Sequence, residues 1–299
     1  MASSFNNLSC GTNRNNTGKK KCYEDFGPIK KLILTPTDGS LTDEDTALVL
    51  ANWTANGNLD ESDRFYPLPK FFGVPEFDDE ETIYEENNGD RLKVREGVRS
   101  YTAMIKSSLV EHINLRTLNG QSWKCYEITS NGYIKGTTSD GTLFEPFTVQ
   151  LFEVQKQSSN DGSSVEKTMI RVVLDNANEW DDNGAWVKPT AFNPLEDLNG
   201  LQDVVIAEET GSTTAILQVG VTQTGDGENV TGLVKEDFLV TNSDGDEDAV
   251  SALTDNNDGT YALTLTSGGA DTYTVSLQAT EDMTTEGYEV YTTASITVS

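Results

Sequence analysis

Apolar and polar residues alternate along much of residues 29–175, which is the pattern expected of half-buried β-strands. Clusters of Gly, Asn, Asp or Ser interrupt the alternation at short intervals and mark turns. The strands predicted on this basis cover residues 29–35, 93–107, 123–129, 132–138, 143–157 and 165–175. One helix interrupts the series, so the pattern predicts a mainly β domain built as a β-sandwich or barrel.

The interrupting helix is predicted to begin after Ser108. Ser108 and Glu111 match a capping box, in which each side chain accepts a hydrogen bond from a backbone N–H of the first turn. Leu109, Ile113 and Leu118 follow at the spacing of one helical face, and an Asn-Gly pair then ends the helix. We therefore expect a short helix that presents these three apolar side chains together.

A second helix is predicted over residues 41–56, and an aromatic segment broken by prolines follows it at residues 65–77. The apolar surface of this segment must be covered, either by its own domain or by a neighbouring subunit, and both possibilities remain open. Loops of this length are usually functional. With the tryptophan of the preceding helix, the candidate subunit contacts are Trp53, Phe65, Tyr66, Phe71 and Phe72.

The last third of the chain changes to short strands at regular spacing. The predicted strands cover residues 204–207, 214–222, 237–241, 249–253, 260–266, 272–279 and 288–297. Seven strands in about 99 residues is the number that an immunoglobulin-type sandwich requires. Asp258, Gly259 and Tyr261 resemble a D-x-G-x-Y corner, in which the Tyr hydroxyl binds the backbone of a loop as the next strand begins.

Length and composition divide the chain into three parts. At 299 residues, it is long enough for two domains with real cores. We predict an extended polar arm over residues 1–28, a β domain over residues 29–200 with a long loop at 36–90, and a second β domain over residues 201–299. An aromatic and acidic segment at 176–200, which includes Trp180 and Trp186, is expected to close the first domain and link it to the second.

The formal net charge of −28 is distributed unevenly. Residues 201–299 contain 18 acidic residues and a single basic one, Lys235. Proteins that bind nucleic acid through phosphate contacts concentrate Lys and Arg, so this chemistry is excluded. The sequence has no apolar run of 18 residues and no apolar signal core at the N-terminus, which predicts no membrane span, no export by that route and reduced thiols.

Candidate metal and catalytic chemistry is weak. Cys10 and Cys22 lack the close C-x2–4-C spacing of a zinc site. Asp244, Asp246 and Asp248 superficially match a calcium loop, but alanine occupies the sixth position, where the loop needs glycine. We therefore expect a solvated acidic turn and no cofactor.

The single histidine, His112, sits in the short helix without a nucleophile motif, and no phosphate-binding or dinucleotide motif occurs. The sequence predicts a protein that is not an enzyme. An enzyme would instead require His112, Cys125 or a pair of acidic residues to lie in a deep pocket.

Two resemblances extend this interpretation. The Asp-Gly-Thr-Tyr segment at 258–261, with GLVKEDFLV before it and DTYTVSL after it, resembles bacterial immunoglobulin-like domains found in adhesins and on phage virion proteins. The strand–helix–strand block at 93–129, the segment Gly-Tyr-Ile-Lys-Gly at 132–136 and the strands up to Leu174 resemble the tail tube proteins of tailed bacteriophages. This likeness lies in the order of elements.

The second resemblance implies a structural virion protein: a major tail tube subunit that forms stacked, hexameric rings around a DNA conduit. It implies a tail-tube-like β-sandwich or barrel with one or two short helices, followed by an immunoglobulin-like β-sandwich. The expected partners are other copies of the chain and other tail or virion proteins, with the genome passing through the lumen without specific binding and with no membrane partner. The expected location is the virion tail, assembled in the host cytoplasm. A head decoration or fibre protein, or a surface adhesin or carbohydrate-binding module, is the alternative.

Overall fold

The protein is mainly β, as the alternating pattern predicts. The computed structural model describes residues 25–41, 44–72, 76–78, 82–85, 91–95, 97, 99–139, 141–159, 162, 165–176, 179–285 and 287–299, with the backbone alone for 76–78, 82–85, 91–95 and 181–182. The predicted N-terminal arm, up to residue 24, lies outside the described residues, as do most of the acidic run at 78–81 and its continuation to residue 90.

The chain divides into two compact units. The first comprises Met1–Asn56 and Glu61–Asn199, and the second comprises Gly57–Asp60 and Gly200–Ser299. The division after Asn199 falls next to the predicted domain boundary. The short piece Gly57–Asp60 belongs to the second unit, which no feature of the sequence indicates.

The first unit contains eleven named strands and four short helices among its described residues. The strands are β1 (Ile29–Thr35), β2 (Tyr66–Pro67), β3 (Glu76–Asp78), β4 (Thr82–Glu85), β5 (Arg91–Arg95), β6 (Ser100–Ile105), β7 (Lys124–Thr129), β8 (Ile134–Thr137), β9 (Phe147–Val154), β10 (Thr168–Leu174) and β11 (Gly184–Val187). The helices are α1 (Glu44–Ala47), α2 (Leu50–Gly57), α3 (Leu109–Thr117) and α4 (Glu179–Asn183).

Nine of these strands form one branched sheet, in the order β11-β8-β7-β9-β10-β6-β3, with β1 paired to β7 and β2 paired to β1. The branch lies at β7. One edge of β7 pairs with β1 along its length, and the other edge pairs with β9 at Cys125 and with β8 at Ile128. Among the described residues, no sheet closes into a barrel, because the two ends of this path, β11 and β3, do not pair with each other.

The branch creates two apolar cores in the first unit. One core lies between the β1–β7 branch and the β9–β10–β6 branch and contains Leu32, Cys125 and Val172. The other lies on the opposite face of the β1–β7–β8 branch, where Ile33 and Tyr126 pack with helix residues such as Trp53. Strand β1 is therefore covered on both faces, which explains why a strand with two lysines is almost wholly buried.

The structure corrects three sequence expectations. The predicted strand at 93–107 is two strands, since β5 pairs with β4 in a separate two-stranded sheet while β6 pairs with β10. The predicted helix at 41–56 is broken into α1 and α2. The segment at 176–200 is more than a linker, because β11 pairs with β8 and extends the main sheet.

The second unit has eight strands in two sheets. The strands are β12 (Gln202–Glu208), β13 (Ile216–Gln223), β14 (Phe238–Thr241), β15 (Val250–Asp255), β16 (Thr260–Leu265), β17 (Asp271–Leu277), β18 (Tyr288–Thr292) and β19 (Ala294–Val298). A short 3₁₀ helix, Lys235–Asp237, precedes β14. The sheets have the orders β15-β16-β13-β12-β18 and β14-β17-β19, and both contribute side chains to one apolar core.

All seven strands predicted in this region are present, but the last is two strands. Strand β18 pairs in parallel with β12, and β19 then pairs with β17 in the other sheet. Alternation of apolar residues continues across both pieces, so the pattern alone could not show where the chain changes sheets.

Tyr261 forms the hydrogen bonds that its motif predicts. Its hydroxyl donates to the Val230 carbonyl oxygen at 2.9 Å and accepts the Leu233 N–H at 3.4 Å. Gly259 adopts a φ of +84°, and a Cβ there would lie 2.7 Å from Asn229, so a glycine is required beside this tyrosine. Burial raises the pKa of Tyr261 to about 12.

Replacing Tyr261 with phenylalanine is expected to lower the free energy of unfolding of the second unit by about 1–3 kcal/mol, because the Leu233 N–H loses its acceptor in a buried environment. All four tryptophans lie between residues 53 and 186, so far-UV circular dichroism during urea unfolding, and not tryptophan fluorescence, should detect the change. The control is Tyr291→Phe, whose ring is 70% exposed. An equal loss in both variants would contradict the role of the hydroxyl.

Candidate interaction surface

Helix α3 is held at its N-terminus by the predicted capping box. The Glu111 N–H donates to Ser108 Oγ at 3.2 Å, and the Ser108 N–H donates to Glu111 Oε2 at 2.7 Å. The helix ends at Thr117, and Gly120 follows with a φ of +80°. The sequence therefore predicted this helix and its cap correctly.

The three apolar residues of the predicted face do not stay together, because Leu118 is half-buried against the core between the branches while Leu109 and Ile113 are exposed. His112 and Leu115 face the unit, and His112 Nδ1 lies 2.9 Å from Thr168 Oγ1, which in turn lies 2.6 Å from Ser107 Oγ. Leu109 and Ile113 point outward. Buried polar side chains need hydrogen-bond partners, and these three find their partners inside the unit. Their hydrogen bonds therefore fix the rotation of α3 about its axis.

The outward face of α3 is an exposed apolar patch. Leu109 is 61% exposed, Val110 53% and Ile113 54%. A shallow cleft of about 440 Å³ opens beside the N-terminal end of α3, lined by Lys106, Ser107, Ser108, Glu111, Val165 and Glu166. We call Leu109, Val110 and Ile113 the α3 patch. Contiguous apolar side chains with this exposure are typical of a protein–protein interface.

The stretch of sequence that contains the α3 patch differs in charge from the rest of the chain. Residues 99–171 contain eight basic and seven acidic residues, whereas the whole chain carries a net charge of −28. Two copies of the chain repel each other least where this nearly neutral region is at the contact. The same region therefore combines exposed apolar surface with low electrostatic cost of association.

The five aromatic residues proposed as subunit contacts lie in different environments. Trp53 and Phe65 belong to the core that contains Tyr126, and Phe71 belongs to the core between the two branches. Tyr66 is half-buried against Trp123, at a ring-centroid distance of 5.5 Å. The chain itself therefore covers most of this surface, as the intramolecular alternative expects. Phe72 differs from the other four, with 57% exposure.

A buried ion cluster lies at one end of the core between the branches, and sequence reasoning missed it. Glu127 is fully buried, and its Oε2 accepts from Arg99 Nη2 at 2.9 Å and from Lys135 Nζ at 3.4 Å. Burial raises the pKa of Tyr101 well above its usual range, and Glu127 acts in the same direction. Charged residues within otherwise apolar strands, KCYEIT and IKGT, were the available signal.

Aromatic rings surround the cationic side of this cluster. Lys135 Nζ lies 4.0 Å from the Trp180 ring centroid, and Arg99 lies over the Phe147 ring at 5.6 Å. Trp180 also contacts Phe147, at a centroid distance of 6.0 Å. Cation–π contacts of this kind partly replace the water that the buried lysine has lost. We therefore interpret the cluster as a structural element that holds β7, β8 and α4 in position relative to one another.

Lys31 is a second buried cation. It lies on β1 with 2% exposure, and its Nζ donates to the Leu198 carbonyl oxygen. Burial lowers the pKa of Lys31 to about 8, and the charge of Lys70 acts in the same direction. The folded chain therefore releases this proton well below the pH at which the unfolded chain does.

Raising the pH from about 8 towards 10.5 is expected to stabilise the first unit relative to a Lys31→Met variant. In this window the unfolded chain binds a proton that the folded chain has lost, so stability rises with pH, by about 1–3 kcal/mol after allowance for solvent screening. Urea unfolding followed by tryptophan fluorescence measures the difference at each pH. The exposed Lys106→Met variant should parallel the wild type, and a constant difference between wild type and Lys31→Met would contradict the assignment.

The structure gives no support to the metal candidates that it describes. In the part of the chain that the structure describes, no group of three or more His, Cys, Asp or Glu side chains is placed to hold a metal ion, and this includes Asp244, Asp246 and Asp248. Asp248 instead accepts a hydrogen bond from the Ser267 N–H at 3.0 Å. The zinc candidates Cys10 and Cys22 lie outside the described residues.

Two of the side chains named above for a catalytic role, Cys125 and His112, are buried in the first unit. Cys125 is fully buried, and burial raises the pKa of its thiol well above the usual range, which disfavours the reactive thiolate. His112 contacts Thr168, whose side chain is itself fully buried and so inaccessible to a substrate. The α3 patch is the most prominent functional candidate that the geometry offers.

No protein-family model matches the chain, and no curated protein matches it. Within the described ranges, none of the helices has the length and apolar character needed to cross a membrane.

Proposed function

We propose that this chain is a structural virion protein, the major tail tube subunit of a tailed bacteriophage, which assembles into stacked hexameric rings around a DNA conduit. The observation that carries the proposal is the α3 patch, formed by Leu109, Val110 and Ile113, on a nearly neutral region of a strongly acidic chain. A surface of this kind favours association between copies, and association is the activity of a tube subunit.

The order of elements supports the same assignment. In the first unit, β6, α3 and β7 form the strand–helix–strand block, and β8, β9 and β10 follow it in one branched sheet. Among the described residues the sheet ends at β11 and β3, and in this proposal these edges pair between subunits when a ring closes. Closure into a barrel in this proposal is a property of the ring and not of one chain.

The second unit is proposed to be an immunoglobulin-like domain carried on the outside of the tube. The orders β15-β16-β13-β12 and β14-β17-β19 correspond to the four-plus-three division of a constant-type immunoglobulin sandwich, and β18 is an additional strand beside β12. The 18 acidic residues and single basic residue of residues 201–299 keep this surface hydrated.

The net charge suits a conduit for DNA. A chain with a formal charge of −28 repels phosphate, so a genome can pass through a lumen made of such chains without adhering to it. The proposed partners are therefore other copies of this chain and other tail proteins, at a site of assembly in the host cytoplasm. DNA passes through without a specific binding site.

Negative-stain electron microscopy of the purified chain over a concentration series tests the proposal. The expected result is rings or stacked tubes with a central lumen at high concentration, and single particles at low concentration. Monomers or trimers throughout the series would overturn the tube assignment and favour a head decoration or fibre protein. The same series in the presence of a DNA fragment should show no retention of the DNA on the outer surface.

A further inference from the structure

Phe26, one of the first residues that the structure describes, packs among three aromatic rings. The Phe26 ring makes edge-to-face contacts with Tyr133, Trp180 and Trp186, at centroid distances of 5.1, 5.7 and 5.7 Å. Lys135 Nζ lies 5.7 Å from the same ring. We call Tyr133, Trp180 and Trp186 the Phe26 seat. Three aromatic rings that meet a fourth in this way form a specific recognition site for a phenyl group.

Each ring of the Phe26 seat also contacts side chains other than Phe26. Trp180 rests on Lys135 and on Phe147, as described above, and Trp186 contacts Tyr133 at a centroid distance of 5.5 Å. Lys188 Nζ lies over the Tyr133 ring, 4.4 Å from its centroid. Because these contacts hold the three rings in place, the seat should persist when Phe26 leaves it.

Among the described residues, hydrogen bonds at Asp25 and Pro28 join the segment that carries Phe26 to the unit. The Asn131 side chain donates to the Asp25 carbonyl oxygen at 2.7 Å, and the Ser130 N–H donates to the Pro28 carbonyl oxygen at 2.8 Å. Between them, Gly27 has a φ of +69°, a conformation that favours glycine. Phe26 itself is only half-buried. A rotation at Gly27 can therefore move Phe26 out of the seat without moving β1.

The charge of the preceding residues favours attraction between copies. Residues 1–24 contain four basic residues and one acidic residue, although the whole chain carries a net charge of −28. An arm with this composition is drawn to the acidic surface of any copy of the chain, its own or another. The contacts of Phe26 in a second copy would be identical to those in its own chain, which is the condition for exchange of a terminal segment at low energetic cost.

We propose that the Phe26 seat is an exchangeable docking site, which accepts Phe26 from the N-terminal arm of a second copy of this chain in place of its own. Exchange is intramolecular at low concentration and intermolecular at high concentration, because the local concentration of the chain's own Phe26 is fixed while that of other copies rises. The inference does not depend on the tube assignment, since exchange requires only two copies.

A complementation experiment between two full-length variants tests the exchange. Phe26→Ala leaves the seat empty, and Trp186→Ala leaves Phe26 in place but removes one wall of the seat. Both chains also carry Ile113→Asp, which removes association through the α3 patch. Fluorescently labelled Phe26→Ala chain is titrated with unlabelled Trp186→Ala chain, and association is measured by sedimentation velocity. Only contact between the two chains can restore the docked phenyl ring.

We expect the labelled chain to associate at least about tenfold more tightly with the Trp186→Ala chain than with unlabelled Phe26→Ala chain, which offers no phenyl ring. Equal sedimentation with both partners would overturn the exchange. Thermal melts identify a variant that fails to fold, and the milder pair Phe26→Leu and Trp186→Phe then replaces it with the same expected order. Because the α3 patch is disabled in every chain, failure of this experiment is distinct from failure of ring assembly.

Discussion

Replacing Glu127 with glutamine is expected to lower the free energy of unfolding of the first unit by about 3–5 kcal/mol. Glu127 is fully buried and receives hydrogen bonds from both Arg99 and Lys135. Glutamine preserves the shape of the side chain but removes its negative charge, so two cations remain at the edge of an apolar core without compensation. Burial already lowers the pKa of Lys135, and Glu127 acts against that shift.

Urea unfolding followed by tryptophan fluorescence measures this loss in the first unit, since all four tryptophans lie between residues 53 and 186. The matched control is Glu153→Gln, the same change at an exposed position on β9, where less than about 1 kcal/mol is expected. Adding Lys135→Met to Glu127→Gln should recover part of the loss, because it removes one uncompensated charge. A Glu127→Gln variant as stable as the control would contradict the ion cluster.

Ile113→Asp is expected to weaken association between copies by about 100-fold or more, and so to remove rings and tubes from the electron micrographs. Ile113 is 54% exposed and belongs to the α3 patch. In an assembled interface, the carboxylate would have to give up its water without a partner. The free chain loses little, because the position is already in contact with solvent.

Asn114→Asp is the matched control for this prediction. It makes the same change in charge at the next residue of α3, which is exposed and lies about 100° further around the helix. Sedimentation velocity over a concentration series compares the two variants, and circular dichroism verifies that both fold. If Asn114→Asp and Ile113→Asp weaken association equally, the effect is one of net charge and the α3 patch is not the interface. If neither does, the proposed interface is wrong.

Local signals in the sequence were sufficient for much of the fold. Strand β1 occupies the predicted residues, and the capping box of α3 forms as its spacing requires. The seven alternating segments of the second unit are all strands, and Tyr261 makes the predicted hydrogen bonds. In each case the determinants lie within a few residues of one another, because a strand period or a cap depends on neighbouring positions alone.

The site could not be predicted in the same way. Leu109 and Ile113 have the spacing of a buried face, and sequence reasoning has no means of preferring the face of His112 and Leu115. The choice depends on Thr168, a residue 56 positions away in the chain, which β10 places opposite His112. The same dependence on distant strands gathers Phe26, Tyr133, Trp180 and Trp186 into one seat.

By itself, the sequence determined a mainly β chain in two parts, a capped short helix, a tyrosine corner and an acidic surface unsuited to phosphate contacts. The tertiary structure alone decided which side of α3 faces solvent, that β7 branches between β8 and β9, and that Glu127 is buried between two cations. The physical reason is that periodicity and capping depend on local geometry, whereas burial depends on which distant strands cover each face. The α3 patch, which is the surface on which the proposed assembly depends, is therefore a feature that only the tertiary structure decided.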